Sequence, residues 1–83
     1  MKVKRSIGVY QKDGDSLIQD VPIYLSVDFL KKLFQFKTDE DPELFKVYKL
    51  NQEQYFQLKI LISDLSNFDF SMVEMFLKCY QID

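Results

Sequence analysis

Apolar and polar residues alternate over residues 2–11, the period-two pattern of a half-buried β-strand. Asp13 and Gly14 then favour a tight turn, because glycine adopts a positive φ without steric cost. Residues 16–24 return as a second strand. Pro22 has no N–H to give to a neighbouring strand, so we expect this strand to lie at an edge of the sheet or to pair on one side only at that position.

Helical spacing follows the second strand. Leu33 and Phe34 lie three and four residues after Leu30, which places all three on one face of a helix. Ser26 precedes them, and a serine hydroxyl at this position can accept a hydrogen bond from the first turn of a helix. The pattern predicts a short helix over residues 27–35.

A third strand and a second helix are predicted in the next segment. Residues 44–50 carry apolar side chains on both sides of an extended chain, which favours a central position in the sheet. Asn51 and Gln54 have the spacing of a capping box at a helix start. The apolar stripe of that helix comprises Tyr55, Leu58, Leu61, Ile62 and Leu65.

Residues 71–81 are compatible with two structures. Ser71 and Glu74 fit a capping box, but the following residues alternate and are rich in β-formers, so we favour a strand. The resulting order β-β-α-β-α-β predicts an α+β fold: a small, mostly antiparallel sheet of about four strands with two helices on one face. A chain of 83 residues is expected to form a single domain over residues 1–83.

Composition narrows the function. The sequence contains no histidine and one cysteine, Cys79, so a metalloenzyme, a histidine-dependent hydrolase and an intramolecular disulfide are not expected. We expect no cofactor, a non-enzymatic protein, and Cys79 as a small buried hydrophobe. No apolar run approaches the ~20 residues that span a bilayer, and no signal peptide is evident, which predicts no membrane contact and a cytoplasmic location.

Charge is distributed unevenly. Residues 1–37 hold seven basic and four acidic side chains, and residues 38–83 hold four basic and nine acidic ones. The densest acidic run comprises Asp39, Glu40, Asp41 and Glu43. A calcium loop is disfavoured because Pro42 interrupts the alternation of ligands. A solvated loop or a docking site for a basic partner remain as alternatives.

Two further sets of residues, one basic and one aromatic, could serve either the fold or the binding of a partner. Lys2, Lys4 and Arg5 could track phosphates, but a pI near 5.0 argues against nucleic-acid binding. Phe68 and Phe70 could close the core over the end of the second helix or act as exposed interface anchors, and core packing is the favoured interpretation.

The succession of segments is similar to a known class of proteins. The features are the Lys-Asp-Gly-Asp turn, the acidic loop ending Asp41-Pro42, a strand containing Tyr48, and an ending Phe-Leu-Lys-Cys-Tyr-Gln over residues 76–81. They resemble small bacterial immunity proteins encoded beside polymorphic or contact-dependent growth inhibition toxins, in particular a family of unknown function with the same Asp-Pro loop and Cys-Tyr-Gln ending. Length and order also resemble the cloacin-type ribonuclease immunity proteins, which are more acidic.

This resemblance implies an antitoxin that binds a cognate toxin domain, with a nuclease as the expected toxin, and blocks its active site or substrate path. The residues we expect to bind this partner are Asp39, Glu40, Asp41, Glu43, Asp64, Phe68, Asp69 and Phe70. One alternative is an interaction module or homodimeric adaptor whose exposed sheet edge pairs with another chain. A small enzyme using only carboxylates is a third, although no spacing singles out a pair.

Overall fold

The computed structural model describes residues 3–14, 16–34 and 46–82. The elements, in chain order, are β1 (Val3–Gln11), β2 (Leu17–Ile23), α1 (Val27–Leu33), β3 (Tyr48–Lys49), α2 (Gln52–Leu61) and β4 (Val73–Gln81). Two short 3-10 turns, Ser63–Asn67 and Phe70–Met72, connect α2 to β4. This α+β arrangement with the order β-β-α-β-α-β confirms the predicted fold class.

The four strands form one antiparallel sheet in the order β2-β1-β4-β3. β1 and β4 are nine residues long and pair along their whole length, so they occupy the centre. β2 lies at an edge, which confirms the prediction from Pro22.

The predicted central position of the strand over residues 44–50 is wrong. Its described part, β3, is two residues long and pairs with β4 on one side, and no described strand pairs with its other side. Val47 is 61% exposed, so the apolar residues on the second side of this segment reflect an exposed edge. Residues 44 and 45 lie outside the described ranges.

One hydrophobic core lies between the sheet and the helices. The strands contribute Ile7, Val9, Val21, Ile23, Tyr48, Val73, Met75 and Leu77, all buried and alternating along their strands. The helices and connecting segments contribute Leu30, Phe34, Leu50, Tyr55, Leu58 and Leu65. Alternation places these strand residues on one face of the sheet, so the residues between them in each strand lie on the opposite face.

Both helices begin where the sequence predicts. Ser26 Oγ accepts a hydrogen bond from Phe29 N at 3.1 Å and caps α1, which ends at Leu33, two residues before the predicted boundary. Asn51 and Gln54 form the predicted capping box of α2, with distances of 2.8 and 2.9 Å. Because Gln54 Nε2 also donates to the carbonyl oxygen of Leu33 at 3.1 Å, the same residue ties the start of α2 to the end of α1.

The apolar stripe of α2 is shorter than predicted. Tyr55 and Leu58 are buried, but the helix ends at Leu61, whose side chain is 54% exposed. Ile62 adopts an extended conformation, and Leu65 enters the core from the following 3-10 turn. The prediction of one helical stripe through Leu65 is therefore wrong beyond Leu58, because a change of backbone direction carries Leu65 into the core.

Residues 71–81 form the predicted strand over its described bounds Val73–Gln81. The alternative helix start at Ser71 is absent, since the backbone N–H of Ser71 donates to the Asp69 carboxylate at 3.0 Å in a short 3-10 turn. Cys79 is free and half-buried, so it is less enclosed than expected.

Candidate functional site

The sheet face opposite the core carries a connected cluster of polar and aromatic side chains, which we call the open face. Its members belong to the three longest strands: Ser6, Gly8 and Tyr10 on β1, Asp20 on β2, and Phe76, Lys78 and Tyr80 on β4. Strand register brings them together, because Ser6 lies opposite Lys78 and Gly8 lies opposite both Asp20 and Phe76. The cluster therefore depends on the pairing of β1 with both of its neighbours.

The hydroxyl groups of Ser6 and Tyr80 and the carboxylate of Asp20 form the centre of the open face. Ser6 Oγ donates to Asp20 Oδ1 at 2.8 Å, and Tyr80 OH donates to Asp20 Oδ2 at 2.5 Å. Ser6 Oγ and Tyr80 OH are themselves 2.5 Å apart. Both oxygens of the Asp20 carboxylate are thus engaged, which fixes the orientation of three side chains from three strands.

Lys78 connects this centre to two aromatic rings. Its Nζ lies 3.5 Å from Asp20 Oδ1 and donates a hydrogen bond to Tyr10 OH at 3.0 Å. The ammonium also lies 5.3 Å from the centroid of the Tyr10 ring and 5.8 Å from that of Tyr80, within the range of cation–π attraction. Tyr10 in turn contacts Phe76 edge to face, with ring centroids 5.6 Å apart. The network therefore spans the width of three strands.

Gly8 makes room for the Lys78 side chain. A Cβ at this position would lie 2.8 Å from Tyr10 Cε1 and 3.0 Å from Lys78 Cε, closer than normal carbon contacts. The missing side chain lets the Lys78 stem cross directly over the β1 backbone. Close packing of the Tyr10 and Lys78 side chains therefore explains why residue 8 is a glycine.

The electrostatics of the cluster keep its charged groups ionised at neutral pH. Burial raises the pKa of Asp20, but hydrogen bonds from Tyr80 and Ser6 and the charge of Lys78 outweigh it and leave the pKa below its ordinary value. The hydrogen bond to Tyr10 raises the pKa of Lys78, with a further contribution from Asp20, despite opposing burial. Burial and the hydrogen bond to Asp20 raise the pKa of Tyr80.

Hydrogen bonds and charge limit the chemistry that Ser6 and Lys78 can perform. Ser6 is completely buried and its hydroxyl is engaged by Asp20 and Tyr80, so it is not positioned to attack a substrate. Lys78 has a raised pKa and stays protonated, which prevents it from acting as a base at neutral pH. Within residues 3–14, 16–34 and 46–82, no group of three or more Cys, Asp or Glu side chains is arranged to hold a metal ion.

A second surface contains three of the residues predicted to bind a partner. Phe68, Asp69 and Phe70 line a groove of about 440 Å³ together with residues of α2 and with Lys12. Phe68 and Phe70 are partly buried and pack against the core, which agrees with the favoured prediction of core packing. The Phe70 ring stacks on Tyr55 at 4.7 Å, and the Asp69 carboxylate accepts hydrogen bonds from the backbone and hydroxyl of Ser71.

The structure separates the remaining predicted residues from this groove. Asp64 is exposed and lines a different cavity, beside Tyr24 and Leu61. The acidic loop residues Asp39, Glu40, Asp41 and Glu43 lie outside the described ranges. Their assignment to a partner interface therefore stays a prediction.

The open face was missed by reasoning from the sequence. Ser6, Asp20 and Tyr80 are ordinary polar residues in three distant segments, and no motif links them. The available signal was the alternation in β1 and β4, which puts Ser6 and Tyr80 opposite the apolar positions of their strands. Deciding that they meet required the strand order and register.

A family model described as Domain of unknown function (DUF7683) matches residues 4–78. The chain belongs to this family. The match begins one residue after the start of β1 and ends within β4 at Lys78, so it includes every member of the open face except Tyr80. No curated protein and no solved structure matches the chain. Among the described residues, no helix combines the length and apolar character required to cross a membrane.

Proposed function

We propose that this protein is an immunity protein that binds a cognate toxin domain in the cytoplasm of the producing cell. It neutralises the toxin, which we propose to be a nuclease, by covering its active site or substrate path. The protein contributes no chemistry of its own. The class of partner rests on the sequence resemblance described above, and the mode of action rests on the open face.

The observation that carries the proposal is the rigid aromatic and polar cluster of the open face. Tyr10, Phe76 and Tyr80 are half-buried, so each still presents part of its ring to solvent. Aromatic residues are enriched in the centres of protein interfaces, where few rotatable bonds make their burial entropically inexpensive. Because hydrogen bonds already fix Tyr80 and Lys78, a partner would meet a surface that needs little further ordering.

Charge supports the same proposal. The protein carries a formal net charge of −2, and its second half is the more acidic. A nuclease domain must attract nucleic acid and therefore presents basic surface, which an acidic inhibitor can exploit for faster association. We assign this steering role to Asp39, Glu40, Asp41 and Glu43, with Asp64 and Asp69 as further contributors. Phe68 and Phe70 remain candidate anchors at the groove.

Growth rescue tests the function directly. The chain is co-expressed with the C-terminal domain encoded by the gene immediately upstream, and growth is compared with and without it. We expect rescue, together with a complex that co-purifies. A neighbouring domain that is not toxic, or that kills the cells regardless of this chain, would contradict the proposal.

Matched lysine variants test the open face as the binding surface. Lys78→Gln removes the charge at the centre of the open face, and Lys32→Gln removes an exposed charge on α1. Because Lys78 donates to Tyr10 OH and lies against the rings of Tyr10 and Tyr80, its loss disturbs both aromatic contacts, and we expect Lys78→Gln to weaken toxin binding by about tenfold or more. Lys32→Gln should leave binding within about twofold, and titration calorimetry measures both. The opposite ranking would move the interface to the helical side.

Reversal of two loop charges tests electrostatic steering. Changing Asp39 and Glu40 to Lys should lower the association rate at low salt and reduce its dependence on salt, because long-range attraction is screened by ions. Stopped-flow measurement over a salt series provides both quantities. An unchanged association rate at low salt would remove these two acids from the steering role.

A further inference from the structure

Tyr24 stands at the middle of an exposed apolar surface. Its side chain is 90% exposed, the highest value among the large exposed hydrophobic residues of the described ranges, and it follows directly after edge strand β2. Two shallow cavities of about 320 and 440 Å³ meet at residues 23–25. Leu61 lines one cavity and is 54% exposed, and Ile82 lines the other and is 58% exposed. We call this surface the Tyr24 patch.

The two ends of the Tyr24 patch carry opposite charges. The cavity beside Leu61 is lined by Asp64, and the cavity beside Ile82 is lined by Lys4. Both charged residues are exposed. The apolar centre therefore lies between an acidic end and a basic end of the same surface.

We propose that the Tyr24 patch binds a second copy of this chain in a two-fold symmetric dimer. In such a dimer the same surface is used twice, so any contact from one copy to the other is repeated in reverse. Rotation about an axis near Tyr24 brings Asp64 of one copy to Lys4 of the other, and the reverse pair forms as well. A second copy presents the opposite charge at both ends, whereas a partner of uniform charge would meet a like charge at one end.

Side-chain docking distinguishes this dimer from one made by pairing of sheet edges. Pro22 lies on the exposed edge strand and has no N–H to donate to a further strand. Adding a strand to β2 would lack a donor at that position, whereas the Tyr24 patch buries side chains after the end of the strand. Asp64 is also one of the acids to which we assign steering of the toxin, whereas Tyr24 belongs neither to that set nor to the open-face cluster. Substitution of Tyr24 therefore tests the dimer separately from toxin binding.

Measurement of mass against concentration tests the dimer. Light scattering and sedimentation velocity over about 1 µM to 1 mM should show the mass rising from 10.0 kDa towards twice that value. Tyr24→Ser should raise the dissociation constant of the dimer by about tenfold or more, because a central aromatic anchor is lost. Met72→Ser is the matched control, since Met72 is 67% exposed and lines neither cavity. Circular dichroism verifies that both variants fold.

A charge exchange tests the two-fold pairing itself. Asp64→Lys and Lys4→Asp should each weaken self-association, because each places like charges opposite one another in both symmetric contacts. An equimolar mixture of the two variants should form a heterodimer, in which both contacts again join opposite charges. A wild-type chain that stays monomeric over the whole range, a Tyr24→Ser variant that dimerises like the wild type, or a mixture that fails to associate would overturn the proposal.

Discussion

The two faces of the sheet are built from alternate residues of the same strands and differ in how they hold together. Along β4, Met75 and Leu77 are fully buried in the core. The alternate residues Phe76 and Lys78 are half-buried on the open face. The core face is stabilised by removal of apolar area from water, which is non-directional. The open face is held by directional hydrogen bonds and an ion pair.

This difference predicts unequal contributions of the two faces to stability. Burial of a leucine side chain contributes about 1.5–3 kcal/mol, while a typical hydrogen bond contributes about 0.5–1.5 kcal/mol net. Substitutions on the open face are therefore expected to have a modest cost in stability. Substitutions on the core face act first on the fold.

The largest expected effect comes from neighbouring substitutions on the two faces. Leu77→Ala should reduce the free energy of unfolding by about 2–5 kcal/mol, because it leaves a cavity in the packed core. Phe76→Ala removes the contact with Tyr10 and should cost about 1 kcal/mol. Urea denaturation measures both. Equal losses would show that the open face is packed as deeply as the core.

A smaller effect is expected from the buried hydroxyl of the open face. Ser6→Ala should lower the free energy of unfolding by about 1 kcal/mol, since Asp20 loses one donor but keeps Tyr80 and Lys78. Ser66→Ala is the matched control: its hydroxyl donates to Ser63 O at 2.6 Å in an exposed turn and should change stability by less than about 0.5 kcal/mol. A larger loss at Ser66 than at Ser6 would contradict the importance of the cluster.

The smallest effect is expected from pH. The pKa of Asp20 is lowered in the folded state, so its contribution to stability is present above its ordinary value of 3.8 and is lost as the pH falls through the folded-state value. Asp20→Asn should flatten the dependence of the urea midpoint on pH below about 4. Raised pKa values of Lys78 and Tyr80 place a second loss of stability on the alkaline side, above their ordinary values of 10.5 and 10.0. An Asp20→Asn variant with the acid profile of the wild type would show that Asp20 is not linked to folding.

Local signals in the sequence were sufficient for most elements. The capping box at Asn51 and Gln54, the cap at Ser26 and the edge position implied by Pro22 each depend on a few neighbouring residues, and all three are confirmed. The errors concern residues whose surroundings come from elsewhere in the chain. Apolar residues near Val47 suggested a central strand, but β3 pairs with β4 on one side and is the last strand of the sheet.

The candidate site illustrates the same limit. Phe68 and Phe70 were identified because two aromatic residues stand close together in the sequence, and the structure places both at one groove. The open face joins Ser6 to Tyr80, 74 residues apart, and Asp20 to Tyr80, 60 residues apart. Contacts over such separations have no local signature.

The sequence by itself determined the α+β element order, the helix starts and the apolar alternation that forms the core, because propensity, capping and periodicity act over a few residues. Only the tertiary structure decided which strands are neighbours and in what register they pair. Register converts alternating polar residues on separate strands into one hydrogen-bonded surface, since a shift of one residue would turn each side chain to the other face. The open face results from that choice of pairing.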